Sequence, residues 1–360
     1  MGHFRKQMIS FFMTSNCNLS CSYCYVDRSE HANQTLDFEF AKVGMDDYFQ
    51  TDMKKHIRFQ GPGEPTCAFE LMKKITEYAY GIVGDELTSE IQTNGTFGQG
   101  IRDWLSENVD NIWISCDGLP EQQDRYRKTK SGLPTSKLLE ENVKYLTKAC
   151  KGMTGIRSTI TSDNVFSQKA NIDYFYSLGV RHIWTDPIFP SVGEKELTDT
   201  MSLMEYADQF LKAREHAKRK GMFYGSFLAC NFDEEVNYAC RACLPVPHLT
   251  TDGYVSACDM ALFGEDKNPL SALIYGKWDK RNKRIVYDDA KMKTLRSRCA
   301  DNMPGCEGCV AKYHCAGYCL GEVTNETGSM FGKKERVCAP IRYLLKNLTP
   351  EDCKYEFSHP

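Results

Sequence analysis

The chain has 360 residues, of which 45 are basic and 48 acidic, and its formal net charge is −3. That balance provides no basic surface for a nucleic-acid backbone or an anionic membrane. Hydrophobic residues make up 41% of the chain, which is ordinary for a globular protein with a sizeable core. At about 150 residues per domain, the length predicts roughly two domains.

The N-terminal region predicts neither a membrane span nor export. The longest nearly apolar run is Ile9–Met13, whereas a membrane-spanning helix needs about 18 apolar residues. Residues 1–6 lack the apolar stretch and the small-residue cleavage site of a secretory leader. We therefore expect a cytoplasmic protein that binds neither a membrane nor a nucleic acid.

Short β-rich runs alternate with helical stretches over residues 7–190. The predicted strands are Met8–Thr14, Ile57–Gln60, Glu90–Thr93, Asn111–Ser115, Gly155–Thr161 and Val180–Thr185. Apolar residues recur at helical spacing between them, as in Phe69–Tyr80 and Ser136–Ala149. Repeated strand–helix units predict an α/β fold with a parallel sheet, and ligands of such folds lie at the carboxyl ends of the strands.

The alternation ends near residue 225, after a predicted long helix at Ser202–Arg219 whose charged face we interpret as solvent-exposed. Cysteine, glycine and proline are dense in the part of the chain that follows. We expect one domain at residues 1–225, a cysteine-rich domain at residues 226–345 and a tail at residues 346–360. In the second domain, metal ligation would substitute for a large core.

Cysteine is the unusual residue, with 17 copies in two groups, one near the N-terminus and one from Cys240 onward. An odd number excludes complete disulfide pairing within the chain. Clustered cysteines in a reducing compartment bind metal more often than they form disulfides.

Three cysteines, Cys17, Cys21 and Cys24, follow the first predicted strand with the spacing C-x3-C-x2-C. Three thiolates on one loop can hold three irons of a four-iron cluster and leave the fourth iron open to a ligand. A structural zinc site is the alternative, but zinc normally takes four ligands with a two-plus-two spacing.

This motif resembles the signature of the radical S-adenosylmethionine (SAM) enzymes, and Tyr23 before the last cysteine also fits it. The resemblance implies a partial (β/α)6 barrel and a [4Fe-4S] cluster held by Cys17, Cys21 and Cys24. It also implies that this cluster cleaves SAM reductively and yields a 5′-deoxyadenosyl radical, which abstracts hydrogen from the substrate.

Gly61–Pro65 (GPGEP) resembles the Gly-Gly-Glu-Pro element with which this family holds the SAM amino group, and the inserted Pro62 is a departure from it. Glycine lets the backbone approach a ligand closely, and a carboxylate complements an ammonium group. The resemblance therefore implies Gly63 and Glu64 as SAM-binding residues, together with Tyr23. Ser115 is a candidate contact to the ribose or the carboxylate of SAM, with an ordinary strand position as the equal alternative.

The second group of cysteines resembles the seven-cysteine SPASM extension, which occurs in radical SAM enzymes that act on peptides and proteins. The matching residues are Cys243, Cys258, Cys306, Cys309, Cys315, Cys319 and Cys338. The resemblance implies two auxiliary [4Fe-4S] clusters and therefore three clusters in all.

In that arrangement Cys306, Cys309, Cys315 and Cys338 hold one auxiliary cluster. The other cluster takes three ligands from Cys243, Cys258 and Cys319. Its fourth ligand lies upstream of Cys243, where both Cys240 and Cys230 qualify, and we predict Cys240 because it is nearer in sequence.

Asp259 directly follows Cys258. In the sulfatase-maturating members of the family, an aspartate at the matching position acts as a base toward the substrate, which makes Asp259 a candidate catalytic residue. A local hydrogen bond that orders the loop is the alternative, and we weigh it slightly ahead.

The resemblance implies an oxygen-sensitive radical SAM oxidoreductase that abstracts hydrogen from a residue of a peptide, leading to a thioether or carbon–carbon cross-link or another oxidation. The alternative is an anaerobic sulfatase-maturating enzyme that forms formylglycine from cysteine or serine. Two residues disfavour this alternative. Pro62 is an insertion in the GPGEP element, and Gln123 occupies a position where those relatives have a histidine. A small-molecule radical dehydrogenase and a non-catalytic electron carrier are less favoured.

The partners that the resemblance implies are a peptide or protein substrate and a flavodoxin- or ferredoxin-type electron donor. Many peptide cyclases carry a leader-binding winged-helix domain before the first cysteine of the motif, where this sequence has 16 residues. The short arm favours the sulfatase-type layout, or a peptide maturase that binds its leader elsewhere or through a separate protein.

Overall fold

The computed structural model describes residues 7–27, 31–191 and 199–354, and the strands in this part of the chain form one mixed sheet. These strands are β1 (Ile9–Phe12), β2 (His56–Gln60), β3 (Thr88–Thr93), β4 (Asn111–Ser115), β5 (Met153–Ile160), β6 (His182–Pro187), β7 (Phe223–Gly225), β8 (His248–Leu249), β9 (Tyr254–Ser256), β10 (Ile274–Asp279) and β11 (Arg284–Tyr287). Their order is β11-β10-β9-β8-β1-β2-β3-β4-β5-β6-β7. Neighbours from β1 to β7 are parallel, β8 is parallel to β1, and β8 to β11 pair antiparallel.

Helices connect the successive parallel strands. They are α1 (Phe38–Phe49), α2 (Phe69–Val83), α3 (Gln99–Asn108), α4 (Pro120–Tyr126), α5 (Ser136–Ala149), α6 (Gln168–Ser177) and α7 (Leu203–Arg219). The later helices are α8 (Asp289–Ser297), α9 (Lys312–Cys315), α10 (Leu320–Thr327), α11 (Glu335–Asn347) and α12 (Pro350–Cys353). This arrangement confirms the mixed α/β fold with a parallel sheet typical of the partial barrel. The sequence did not reveal β7, because three residues ending in glycine carry no strand periodicity.

Alternation along the strands separates the core from the barrel interior, since successive side chains of a strand point to opposite faces. In β2, Ile57 and Phe59 are fully buried in the main hydrophobic core, and the Phe59 ring lies 6.0 Å from that of Phe11. Arg58 and Gln60 lie on the opposite face and line a cavity inside the barrel. Polar side chains within an apolar strand therefore mark the interior.

The barrel interior changes from aromatic to polar along the strands. Trp113 and Trp184 belong to a buried cluster with Met153 inside the barrel. Two residues further along β4 and β6, on the same face, Ser115 and Asp186 line the cavity. The aromatic side chains fill the interior on the N-terminal side of Ser115 and Asp186. The cavity therefore lies at the carboxyl ends of the strands.

The cysteine-rich part of the chain continues the same sheet, because β8 adds to β1. The division at residue 225 falls at the end of β7, and the domain bounds stay a prediction. Among the described residues, none of the helices has the length and apolar character needed to cross a bilayer.

A fully buried arginine, Arg298, holds several loops of the cysteine-rich part together. Its Nε donates to the carbonyl of Met330 (2.9 Å), and its Nη1 and Nη2 donate to the carbonyls of Ala316 (3.2 Å) and Gly317 (2.6 Å). Nη1 also lies 3.7 Å from the Cys243 sulfur. One buried side chain therefore donates to three carbonyls on two separate segments of the cysteine-rich region.

We predict that Arg298→Met lowers the free energy of unfolding by about 3 kcal/mol, because each buried carbonyl left without a donor costs about 1 kcal/mol or more. The measurement is the urea midpoint of anaerobically purified protein, followed by circular dichroism. Arg296→Met changes an exposed arginine in the last turn of α8, two residues before Arg298, and is the matched control. Equal midpoints for the two variants would contradict the role assigned to Arg298.

Candidate active site

The carboxyl ends of the parallel strands surround a cavity of about 290 Å³. Both groups of cysteines reach it. Its cysteine lining consists of Cys17, Cys21, Cys24, Cys240, Cys258 and Cys319. The fold thus brings residues that are more than 200 positions apart in the sequence to one space.

The loop that carries the N-terminal cysteines is fixed by the loop after β2. The Gly63 amide donates to the carbonyl of Thr14 (2.9 Å), and the Glu64 amide donates to the carbonyl of Asn16 (2.8 Å). Cys17 follows directly. The positions of the cysteines and of the GPGEP turn therefore depend on each other.

Gly63 has no room for a side chain. A Cβ atom at this position would lie 2.0 Å from the carbonyl oxygen of Asn16, far inside contact distance. At Gly61 the nearest atom would be the Thr14 carbonyl oxygen at 3.1 Å, which is tight but less prohibitive. The structure therefore requires glycine at Gly63 more strictly than at Gly61.

Glu64 is a buried carboxylate with every oxygen occupied. Oε1 accepts from the amide and the hydroxyl of Thr66 (3.1 and 2.8 Å) and from the Thr93 hydroxyl (2.6 Å). Oε2 accepts from the Asn94 amide (2.7 Å). Burial raises the pKa of Glu64, and these donors oppose the increase. The carboxylate is thus fixed in one orientation at the wall of the cavity.

The three N-terminal thiols lie within electrostatic reach of one another. Burial raises the pKa of the Cys21 thiol to about 11; Arg127 opposes the increase, and Cys24 and Cys17 add to it. Metal binding requires the thiolate form. Because the raised pKa makes deprotonation of Cys21 costly, the free energy of metal binding would have to offset that cost.

Tyr23 connects the cysteine loop to the turn after β4. Its hydroxyl donates to Asp117 Oδ2 (2.5 Å), and its ring packs 5.6 Å from that of Tyr126. Arg127 Nε donates to both oxygens of Asp117 (3.2 and 3.1 Å). Tyr23 lines a smaller neighbouring cavity of about 180 Å³, whereas Ser115 lines both cavities.

Four cysteines of the second group act electrostatically on one another, and three of them line the cavity. A hydrogen bond with Cys240 and burial raise the pKa of Cys243. Cys240 also acts electrostatically on Cys258 and Cys319. By contrast, Cys230 is buried in the aromatic cluster of the barrel interior. The structure therefore groups Cys240, and not Cys230, with the other three.

The remaining four cysteines of the array are grouped away from the cavity. Burial raises the pKa of Cys315 to about 12, and Cys306 and Cys338 add to this effect. Cys309 acts in the same way on Cys306. The four thiols are therefore electrostatic neighbours.

Asp259 lies at the cavity wall against two arginines and a histidine. Arg58 Nη1 donates to its Oδ2 (2.8 Å), Arg241 Nη2 contacts the same oxygen, and His248 Nε2 lies 2.9 Å from Oδ1. Burial alone would raise the pKa of Asp259, but Arg241, Arg58 and His248 hold it well below its usual value. Its role as a base stays a prediction.

Six charged residues of the cavity wall escaped the sequence analysis: Arg58, Arg127, Arg157, Asp186, Arg241 and Glu322. Asp186 accepts from the Phe227 amide (2.7 Å), from Trp184 Nε1 (3.0 Å) and from Arg157 Nη2 (3.3 Å). Burial raises the pKa of Asp186 to about 6, with Arg157 opposing. The available signal was a charge between apolar residues of one strand, as in His56–Gln60.

In a comparison with protein families, residues 11–162 match the Radical SAM superfamily. An uncharacterised protein of Methanocaldococcus jannaschii is 31% identical over 202 residues, which cover 56% of this chain and 67% of that protein. The serine-type anaerobic sulfatase-maturating enzyme of Bacteroides thetaiotaomicron is 27% identical over 240 residues, which cover 61% of this chain and 55% of that enzyme. The chain thus matches between about half and two thirds of the length of these relatives.

Solved structures share the fold over nearly the whole chain. Native anSMEcpe with bound AdoMet (SAM) has a TM-score of 0.75 at 18% identity, covering 94% of this chain and 95% of that chain. SuiB of Streptococcus suis, bound to its precursor peptide SuiA, has a TM-score of 0.67 at 15% identity, covering 92% and 76%. The cysteine-rich C-terminal region matches SPASM structures. The family match over residues 11–162 and the Methanocaldococcus jannaschii relative confirm the family expected from Cys17, Cys21 and Cys24. The chain belongs to the radical SAM superfamily of iron–sulfur enzymes that use a [4Fe-4S] cluster and SAM.

Proposed function

We propose that this protein is a radical SAM/SPASM maturase that abstracts hydrogen from a residue of a peptide substrate. The observation that carries the proposal is the single cavity shared by the N-terminal cysteines and by Cys240, Cys258 and Cys319. A substrate in this cavity would lie between the site of radical generation and a second redox group. That group could accept the electron which an oxidised substrate must lose.

The residues at the N-terminal site fit a cluster with one open iron. Three thiols on one loop face the cavity, and Gly63 and Glu64 line the same space. The cluster, when bound by Cys17, Cys21 and Cys24, supplies the electron for SAM cleavage. We assign Glu64 to binding of the SAM amino group, and Gly63 to the place where the backbone approaches SAM closely. Ser115 and Tyr23 would contact the rest of the SAM molecule.

The residues of the second group fit two further clusters. We assign Cys240, Cys243, Cys258 and Cys319 to the auxiliary cluster at the cavity wall, because these thiols neighbour one another. We assign Cys306, Cys309, Cys315 and Cys338 to the other cluster. Arg298, whose guanidinium lies 3.7 Å from the Cys243 sulfur, would stabilise thiolate charge there.

A peptide substrate is supported by the bound molecules of the structural relatives. SuiB was solved with its precursor peptide, and anSMEcpe was solved with AdoMet and a peptide. We propose a thioether or carbon–carbon cross-link, or another oxidation of a peptide residue, as the reaction class.

Formylglycine formation is the second candidate, and the similarity to a sulfatase-maturating enzyme supports it. Asp259 would then be the catalytic base. Its contacts weigh against this role, because a proton would have to bind a carboxylate that Arg58, Arg241 and His248 already stabilise in its ionised form. Gln123 occupies the position where we expected a histidine in those enzymes; it accepts from the Asp117 amide (3.2 Å) and donates to Thr135 (3.2 Å).

The first prediction of this proposal concerns SAM cleavage. Anaerobically reconstituted protein with SAM and dithionite should form 5′-deoxyadenosine, measured by liquid chromatography and mass spectrometry. Cys21→Ala should abolish product formation, because the cluster loses one of three ligands. Cys116→Ala removes a buried thiol that does not line the cavity and should retain activity. A wild-type protein that forms no 5′-deoxyadenosine would refute the proposal.

The same assay with peptides separates the two reactions. A sulfatase-derived peptide should remain unmodified, whereas a precursor peptide encoded beside this gene should lose hydrogen atoms and gain a cross-link, visible by tandem mass spectrometry. Formation of an aldehyde on the sulfatase peptide would select the second candidate instead.

A second prediction concerns the fourth ligand of the auxiliary cluster at the cavity wall. Cys240→Ala should lower the iron content of reconstituted protein by up to about four atoms per chain, since a cluster with a missing thiolate is easily lost. Cys230→Ala should leave the iron content unchanged, because Cys230 lies in the aromatic cluster. The opposite pattern would transfer the ligand role to Cys230.

A third prediction concerns the SAM site. Gly63→Ala should weaken SAM binding at least about tenfold, because the new Cβ would displace the backbone next to Cys17. Equilibrium binding of SAM to reconstituted protein measures this effect. Gly98→Ala, at a position with open space around the Cβ atom, is the control and should bind SAM like the wild type. Unchanged binding by Gly63→Ala would remove the GPGEP turn from the SAM site.

A further inference from the structure

A group of exposed lysines lies on the loop that follows α4 and on the first turn of α5. Lys128, Lys130 and Lys137 are exposed, and no ion pair of theirs occurs within the described part of the chain. Two leucines stand out of the surface beside them, Leu133 with 61% and Leu138 with 41% of its area exposed. We call these five residues the lysine surface.

The lysine surface is attached directly to the N-terminal cysteine loop. The Ser20 amide donates to the carbonyl of Lys128 (2.9 Å), and the Lys130 amide donates to the carbonyl of Asn18 (3.4 Å). Leu19 and Thr129 form an antiparallel bridge between these two contacts. The loop therefore keeps a fixed position against the segment between Cys17 and Cys21.

Cys17 lies close to the protein surface at this point. Cys67, which follows the GPGEP turn, is exposed. Glu64, Cys17 and Lys130 each act electrostatically on Cys67, and the Lys130 amide donates to the carbonyl of Asn18, the residue that follows Cys17. A protein bound over Lys130 would therefore be close to the cluster ligand Cys17.

Among the described residues the nearby carboxylates form no ion pair with the three lysines, although Glu141 lies one helical turn after Lys137 on α5. Asp124 Oδ1 accepts from the amides of Thr135 (2.7 Å) and Ser136 (2.8 Å), and its Oδ2 accepts from the Ser136 hydroxyl (2.5 Å). Asp163 pairs with Arg125 (3.2 Å). The chain as a whole is negatively charged at −3, so an acidic partner would be repelled on average and attracted at this surface.

We propose that the lysine surface is the docking site of an acidic one-electron carrier protein of the flavodoxin or ferredoxin class. This inference rests on the proposed function and adds the place where the electron enters. In the step, the reduced carrier loses one electron and the oxidised [4Fe-4S] cluster at Cys17, Cys21 and Cys24 gains it; no bond forms or breaks.

The chemistry of the surface fits a transient redox complex. Complementary charge accelerates encounter and weakens as salt screens it. Redox encounters bury small interfaces, for which two exposed leucines among lysines suffice as an apolar centre.

The test compares two triple variants with the same change of charge. In one, Lys128, Lys130 and Lys137 are replaced by glutamate. In the control, glutamate replaces three exposed lysines elsewhere: Lys148 on α5, Lys293 on α8 and Lys346 on α11. Formation of 5′-deoxyadenosine is measured with reduced flavodoxin and, separately, with saturating dithionite.

With flavodoxin at low salt, we expect the lysine-surface variant to be slower than the control by about tenfold or more, because electrostatic steering is lost. With dithionite, both variants should match the wild type, and added salt should reduce the difference seen with flavodoxin. A wild type inactive with dithionite would refute the proposed function itself, independently of docking.

Three results would overturn the docking proposal while SAM cleavage stands. One is an equal rate of both variants with flavodoxin. Another is a loss of rate in the lysine-surface variant that is as large with dithionite as with flavodoxin, which would assign the lysines to the cluster. A raised KM for the peptide under dithionite would likewise overturn the proposal, because it would assign the lysines to substrate binding.

Discussion

The pairing between the loops after β1 and β2 is the constraint on which the rest of the site depends. Two backbone hydrogen bonds, from Gly63 to Thr14 and from Glu64 to Asn16, fix the cysteine loop against the GPGEP turn. The close approach leaves no room for a Cβ at Gly63. Because Glu64 is in turn held by Thr93 and Asn94 at the end of β3, three strand ends act as one rigid unit.

A buried network of charges joins this unit to the cysteine-rich region. Arg58 pairs with Glu90 on β3 (2.8 Å) and with Asp259 beside Cys258 (2.8 Å). Breaking such a network leaves an uncompensated charge in the interior, which is costly, so its geometry is strongly determined. The network therefore fixes the distance between the two groups of cysteines, and a substrate between them meets a preorganised cavity.

Periodicity sufficed to predict much of the fold. The spans of β4 and α5 agree with the sequence patterns at Asn111–Ser115 and Ser136–Ala149, because apolar residues repeat there with a clear strand or helix period. The three-residue β7 lacked such a signal. Arg157 and Asp186 were missed for another reason. A charged residue in a sequence carries no sign of whether it faces solvent or the interior of the partial barrel, and only its position in the folded sheet decides this.

The sequence by itself determined the family, because the spacing of Cys17, Cys21 and Cys24 and of the later cysteines is a property of the chain that needs no folding to be read. Only the tertiary structure decided that Cys240 lies with Cys243, Cys258 and Cys319 while Cys230 lies among tryptophans. The tertiary structure also decided that Asp259 contacts Arg58, Arg241 and His248. The physical reason is that neighbours in space come from strands distant in sequence, and burial and charge act through space.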